Sequence, residues 1–339
     1  MKFDLSVYIG RFQPPHLGHL ETIQKALEIS EKLLILIGDY RTARSIKNPF
    51  YFEERKEMIQ SGLEKALHDR IHFEPVRNYP YNDNLWVVDI QRKVSKYTEG
   101  KVGIVGNQKD SSSYYLNLFP QWEFAPSPLL RGINATNIRE YYFEDSDYEN
   151  AEFVKENIHP NVIRFLSEFK KNEDYLLLRE EYSFLKKYKA IWESAPFPPT
   201  FVTVDSVVMK SGHILLVKRK SNPGKGLWAL PGGFVRQNEF LFDGAIRELS
   251  EETGIKLSKQ EIRKAHREEK VFDRPDRSLR GRTITHAYFF DLGSGDLPSV
   301  REKGGVEKAI WVPIIEVYEN IERFYEDHFA IIEYFIYKI

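Results

Sequence analysis

Short apolar runs and helix-spaced apolar positions take turns along the first 140 residues. LSVYIG (5–10), LLILIG (33–38), IHFEPV (71–76) and VGIVG (102–106) read as buried strands. Between them, His16–Ser30, Phe52–Leu67 and Leu85–Tyr97 carry apolar residues at i, i+3 and i+4, the period of a helix with one buried face. A βαβα rhythm of this kind predicts an α/β unit, a Rossmann-like doubly wound parallel sheet with helices on both faces. Ligands of such sheets bind beyond the carboxyl ends of the strands.

The pattern then changes. From about Asn150 to Trp192 it is helical and charged, and SAPFPPT (194–200) breaks any helix because its three prolines fix φ and remove donors. FVTVDSVVMK and HILLVKRK alternate as strands around a Ser-Gly turn and open an α+β unit with a mixed sheet between helices. The final run, IERFYEDHFAIIEYFIYKI, spaces its apolar residues as a core helix would. The resulting partition is residues 1–150, a helical segment with a proline-rich linker at 151–200, and residues 201–339.

Composition narrows the function classes. The formal net charge of the 339 residues is -1, so no global field draws the chain to nucleic acid or to an anionic membrane, and phosphate binding must come from local sites. The absence of cysteine removes disulfides, thiolate metal sites and a thiol nucleophile. No apolar run approaches the roughly 18 residues of a membrane span. The start, MKFDLSVYIG, runs into a strand without a charged-then-apolar leader, and a cytoplasmic enzyme is the expectation.

GRFQPPHLGHL (10–20) puts two histidines three residues apart at a strand-to-helix turn. The first turn of that helix offers free N–H groups and a partial positive charge, which suffices to bind phosphate. His16 and His19 project from one face, so both imidazoles can donate to one anion. The helix dipole disfavours further positive charge there, so both rings should stay neutral until an anion arrives. Gly18 leaves room for a ligand against the main chain, Pro14 and Pro15 stiffen the approach, and Arg11 adds a permanent cation.

This segment resembles the H-x-G-H signature of the nucleotidyltransferase superfamily, in particular the archaeal-type nicotinamide-mononucleotide adenylyltransferases. That family opens a later helix with I-S-x-T-x-I-R. Here the run is Ile133-Asn134-Ala135-Thr136-Asn137-Ile138-Arg139, which keeps Thr136, Ile138 and Arg139 but has Asn134 and Ala135 at the usual hydroxyl or glycine positions. NPF (48–50) with Glu54-Arg55 and Met58-Ile59, and YNDNLWV (81–87), are similar to the same family. The resemblance implies adenylyl transfer from ATP, carried with Mg2+, to nicotinamide mononucleotide, giving NAD and pyrophosphate. His16, His19, Arg11 and Arg139 would do the catalytic work. Gly10, Phe12, Gly18, Thr136 and Ile138 would contact substrate, with Asn84 on the nicotinamide carboxamide and Trp86 stacked on its ring. Such transferases often assemble into rings or dimers, so a homo-oligomer is an expectation too.

GGFVRQNEFLFDGAIRELSEETGI (232–255) is the second motif. Glu248, Glu251 and Glu252 fall at i, i+3 and i+4 on one helix face, where three like charges repel unless a hard cation lies among them. Oxygen-only ligands suit Mg2+ or Mn2+, which would neutralise a diphosphate and activate water. Arg247 reads as an orienting partner for a glutamate, Glu239 first, and Gly254 lets the helix end. The spacing fits the Nudix box G-x5-E-x7-R-E-U-x-E-E-x-G-U without departure, from Gly233 to Ile255. Chance would produce it about once in 10⁸ start positions. Glu251 and Glu252 are the catalytic candidates, and Glu248, Glu251, Glu252 and Gly233 the metal ligands.

VFDRPDRSLRGRTITHAYFF (271–290) is similar to a segment of Nudix ADP-ribose pyrophosphatases, which implies hydrolysis of ADP-ribose to AMP and ribose 5-phosphate. Of its four arginines, Arg280 and Arg282 are the expected diphosphate or ribose-phosphate contacts. GGVEKAIWVP (304–313) has Glu307 alone where that family often has paired acids, leaving open a metal ligand or base outside the box. Three alternatives stand beside this reading: another phosphate acceptor in the first half, NADH or a dinucleoside polyphosphate in the second, and a Nudix ligand sensor that regulates transcription. A sensor would want a winged-helix segment and a damaged box, and this box is intact.

Overall fold

The computed structural model describes residues 1–107, 111–127, 134–144, 148 and 151–337, and divides into two compact units, Met1–Arg179 and Glu180–Ile339. In the first, β1 (Phe3–Gly10), β2 (Ser30–Tyr40), β3 (Ile71–Arg77), β4 (Val102–Gly106) and β5 (Glu123–Pro126) form a sheet in the order β3-β2-β1-β4-β5, with every pair parallel. Helices α1 (Leu17–Ile29), α2 (Phe52–Ser61) and α3 (Asp83–Val94) lie in the crossovers from β1 to β4, and α4 (Ala135–Glu144) follows β5. The four strands read from apolar runs are present, and β5 is an addition. EFAP is too short, and too exposed at Glu123, to stand out as an apolar run. Strand order reverses between β1 and β4, and the β1–α1 turn with its two histidines lies at that reversal, where open parallel sheets bind ligands. The helix expected over Phe52–Leu67 stops at Ser61, and a 3₁₀ turn follows at Lys65–Arg70.

Segment 151–179 is not a separate stretch before a linker. Helices α5 (Glu152–Asn157) and α6 (Pro160–Phe169) and the start of α7 (Glu173–Ala190) belong to the first unit. The Phe50 ring meets Phe165 and Phe169 at 6.2 and 5.1 Å, and Tyr175 Oη donates to the Tyr142 carbonyl at 3.0 Å. Aromatic burial of this kind outweighs a charged surface pattern in deciding where a helix packs.

The second unit is a mixed sheet of β6 (Phe201–Lys210), β7 (His213–Arg219), β10 (His266–Phe272), β11 (Thr283–Asp291) and β12 (Val306–Pro313), ordered β10-β11-β6-β7-β12. Short strands β8 (Trp228–Ala229) and β9 (Gly232–Phe234) pair with β7 and β6. Only β11 and β6 run parallel. Helices α8 (Leu241–Thr253), α9 (Lys259–Ala265), α10 (Ile314–Glu319) and α11 (His328–Ile336) complete it. Ala245, Ile246 and Leu249 of α8 pack with Val204, Val208 and Leu215 of the sheet, and the helix carries Glu248 and Glu252 up against β9. Among the described residues no helix is long and apolar enough to cross a membrane.

Candidate active sites

In the first unit the turn after β1 is built around two aromatic rings. Gly10 has no Cβ, and one added there would lie 2.8 Å from Phe12 Cζ. Phe12 takes a left-handed φ of 53°, is 1% exposed, and meets Tyr8 and His19 edge-on at 5.3 and 4.9 Å. Phe12 is therefore a buttress under His19. Its ring is buried, so a substrate contact at Phe12 would come from the main chain. Gln13 locks the loop by donating to the Phe50 carbonyl and accepting the Phe50 N–H, at 2.9 and 3.0 Å.

His16 caps α1 in an extended conformation, and its ring stacks on that of His19 with centroids 3.7 Å apart. The main-chain N–H of His16 donates to His19 Nδ1 at 3.2 Å. A nitrogen that accepts carries no proton, so the His19 proton resides on Nε2. Arg139 of α4 donates to the Gln13 carbonyl at 2.8 Å and to Thr136 Oγ1 at 3.2 Å, which brings the Thr136–Arg139 run to the turn that carries the two histidines. Burial, with Arg11 nearby, lowers the Arg139 pKa to about 10, and it is a cation at neutral pH. Asn134 Oδ1 accepts the Asn137 N–H at 2.9 Å, so asparagine caps α4 where the family usually has a hydroxyl. Ile133 lies outside the described residues. Ile138 is 0% exposed, so a substrate contact at this position would come from its main chain.

Arg55, unassigned by the sequence, is buried and donates to the carbonyls of Arg11 and Gly38 at 2.8 and 2.7 Å, pinning the ends of β1 and β2. Asn84 is exposed on the first turn of α3. Trp86 is half-buried with its ring 6.1 Å from Tyr115 and 5.9 Å from Phe119.

In the second unit Arg247 organises the glutamates. Its Nε and Nη2 donate to Glu239 at 2.9 and 2.5 Å, and its Nη1 reaches Glu248 at 2.5 Å and Glu251 at 3.1 Å. These hydrogen bonds hold the Glu239 pKa at about 2. Gly254 ends α8 with a left-handed φ of 58°. Glu252 turns away from this cluster. Its Oε2 accepts the Gly232 N–H at 3.0 Å, and burial, with Glu248 and Asp205 adding negative charge, pushes its pKa up to about 8.

Among the described residues no three acidic or imidazole groups converge as a metal cage, since Arg247 draws Glu248 and Glu251 to itself. The donor chemistry nevertheless fits a hard divalent cation. Glu252 is a carboxyl that burial and negative neighbours keep protonated, which a cation would reverse. A Cβ at Gly233 would lie 2.8 Å from the Glu248 carboxylate, so that carboxylate lies against bare main chain.

Glu252, Gly232 and Gly233 face a cavity of about 190 Å³, also lined by Asp205, Arg219, Arg277, Arg280, Tyr325, Glu326 and His328. Arg280 sits over the Phe234 ring, its Cζ 4.9 Å from the centroid. Arg282 does not line the cavity, and its guanidinium donates to the Asp273 carbonyl. Arg274 pairs with Asp276, and the buried Arg277 holds Asp327 through bonds of 2.9 and 2.8 Å. Glu307 is held by Lys218 at 2.7 Å and does not line the cavity. The carboxyls that do, beyond the box, are Asp205 in β6 and Glu326 in the loop before α11. Neither was singled out from the sequence. Asp205 hid in an apolar strand, and Glu326 in a run spaced like a core helix. The charged trio Glu326-Asp327-His328 inside that run was the one available signal.

Two family models match the chain: Cytidylyltransferase-like over residues 7–140 and NUDIX domain over residues 199–335. A nicotinamide/nicotinic acid mononucleotide adenylyltransferase of Acinetobacter baylyi is 40% identical over 184 residues, 53% of this chain and 94% of that protein. An ADP-ribose pyrophosphatase of Methanocaldococcus jannaschii is 40% identical over 113 residues, 33% of this chain and 60% of that protein. Over 99% of both chains the structure is similar to a crystal structure from Francisella tularensis, a bifunctional NMN adenylyltransferase/ADP ribose pyrophosphatase complexed with AMP and a Mn ion, with a TM-score of 0.92 and 39% identity. This chain belongs to the family of bifunctional NMN adenylyltransferases fused to Nudix ADP-ribose pyrophosphatases.

Proposed function

We infer that the chain catalyses two reactions of NAD metabolism: adenylyl transfer from ATP to nicotinamide mononucleotide, and hydrolysis of ADP-ribose to AMP and ribose 5-phosphate. The observation that carries this is the coexistence, in one chain alike over its whole length to a bifunctional relative, of both motif sets, each at a built site.

In the first unit the mononucleotide's 5′-phosphate oxygen attacks the α-phosphorus of ATP and pyrophosphate leaves. No protein nucleophile is needed, so catalysis is positioning and charge stabilisation. His19 presents its Nε2 proton beside the amides of the α1 first turn, with His16 stacked on it. Arg139 and Arg11 supply fixed positive charge. Mg2+ would enter with the ATP phosphates.

In the second unit Glu248, Glu251, Glu252 and the Gly233 main chain would hold Mg2+ or Mn2+. A divalent cation bound there supplies charge against the diphosphate and makes water a better nucleophile. Arg247 keeps Glu248 and Glu251 aligned until they are needed, and Arg280 meets the substrate's phosphates or ribose from the cavity wall. Assaying the purified chain with nicotinamide mononucleotide plus ATP, and separately with ADP-ribose, with Mg2+ or Mn2+ and with EDTA, tests both halves. Turnover in only one assay would reduce the reading to that half. A homo-oligomer and a cytoplasmic location complete the reading, to be tested by sedimentation and cell fractionation.

A further inference from the structure

Four consecutive residues leading into the first turn of α11 each hold a different part of the second unit's cavity wall. Tyr325 donates its N–H to the Trp228 carbonyl at 2.9 Å, and its ring carries the Arg219 guanidinium, Cζ 4.0 Å from the centroid. Glu326 Oε1 accepts the Leu279 N–H at 2.9 Å. Asp327 holds Arg277, and His328 Nδ1 accepts the Leu230 N–H at 3.0 Å. Glu326 does this with a left-handed φ of 46°, a conformation costly for a residue with a Cβ that persists where the surroundings enforce it.

The segment Arg277–Gly281 is thus stitched twice to the segment Glu326–Asp327. Arg280 lies within the stitched segment and lines the cavity together with Glu326. Its Nε is buried and has no partner among the described residues, while its Cζ lies over Phe234. A guanidinium held by its backbone, stacked on a ring and left with a donor unused is set for an anionic or polyhydroxy ligand.

We propose that Glu326 is a positioning residue that fixes the main chain at Leu279 and so aims Arg280 at the phosphate or ribose of the ADP-ribose substrate. The inference rests on the reading of this cavity as the ADP-ribose site. Glu326 acts through hydrogen-bond acceptance, so an amide oxygen can replace its carboxylate.

The test compares Glu326→Gln, Glu326→Asp, Glu326→Ala, Arg280→Ala and the Glu326→Ala/Arg280→Ala double variant. It reads kcat and KM for ADP-ribose with Mn2+, and calorimetric binding of ADP-ribose in EDTA. Glu326→Gln stays within about 3-fold of wild type in KM and kcat. Glu326→Ala raises KM and the dissociation constant about 10-fold or more with kcat within about 5-fold, as expected for a lost hydrogen bond serving a charged contact. Arg280→Ala does the same, and the double variant is no worse than Arg280→Ala alone. If the alanine variant fails to fold, the shorter aspartate must show the KM rise. A hundredfold loss of kcat in Glu326→Gln would make Glu326 a general base instead and overturn the proposal, as would additive effects in the double variant or an unchanged KM in both Glu326→Ala and Glu326→Asp. A wild-type chain that neither binds nor cleaves ADP-ribose would overturn the reading beneath it, a separate outcome.

Discussion

Arg247 and Glu239, eight residues apart, are joined by two hydrogen bonds through different guanidinium nitrogens, while the third nitrogen serves Glu248 and Glu251. One planar cation thereby ties Glu239, in the loop before α8, to two carboxylates of the helix, Glu248 and Glu251. Lysine carries the same charge at a single point and cannot reproduce that fork. Arg247→Lys should lower ADP-ribose hydrolysis at least about 10-fold and reduce the thermal midpoint of the second unit. Calorimetry and an initial-rate assay check both, and an unchanged rate would show the fork to be dispensable.

Glu252 accepts the Gly232 N–H and faces the cavity. Glutamine there keeps the hydrogen bond and the shape but cannot become an anion. Glu252→Gln is expected to cut ADP-ribose hydrolysis about 100-fold or more, weaken Mn2+ binding measured by electron paramagnetic resonance, and leave adenylyl transfer unchanged. Full hydrolysis in this variant would remove Glu252 from the catalytic machinery.

In the first unit the proton on His19 Nε2 follows from what Nδ1 accepts. His19→Ala removes that donor and the partner of the His16 ring, and should abolish NAD synthesis while ADP-ribose hydrolysis persists in the same sample. Coupled assays of the two reactions decide it, and near-normal synthesis would remove His19 from the mechanism.

Gly10 tests the buttress beneath the histidines. A methyl group at Gly10 would press on Phe12 Cζ, whose ring meets His19 at 4.9 Å. Overpacking of this kind costs about 1–3 kcal/mol. Gly10→Ala should lower the midpoint of the first unit accordingly and depress NAD synthesis, and a stable variant with full synthesis would separate Phe12 from catalysis.

The two motifs were legible because each is local. H-x-G-H needs only a strand-to-helix turn, and the box needs only helical spacing, so both survive being read in one dimension. The cavity was not legible, since its walls come from Asp205, Arg219, Arg280 and Glu326, distant in sequence and joined by tertiary folding. Arg277 shows why charge alone misleads: beside Arg280 in sequence, it is buried against Asp327. Phe12 errs the other way, a motif residue whose work is packing. The segment 151–179 looked like a connector because its surface is charged, while the rings that dock it sit on the hidden side.

His328 should give the second unit an acid-sensitive component. Its Nδ1 accepts the Leu230 N–H, which only a neutral ring can do, and burial lowers its pKa to about 3. Asp327 opposes that shift, Arg277, Arg219 and Arg280 reinforce it, and Asp205 lies 4.0 Å from Nδ1. The folded value lies below the unfolded one of about 6.5, so the unfolded chain takes up the proton first. The contribution is present in full above pH 6.5 and is lost as pH falls from there toward 3, at up to about 1.4 kcal/mol per pH unit. His328→Asn keeps an acceptor near the Nδ1 position and cannot titrate. Calorimetric unfolding at pH 7.5 and 5 should show the wild-type midpoint of the second unit falling further than that of the variant. Equal falls would mean that the acid sensitivity lies with other groups.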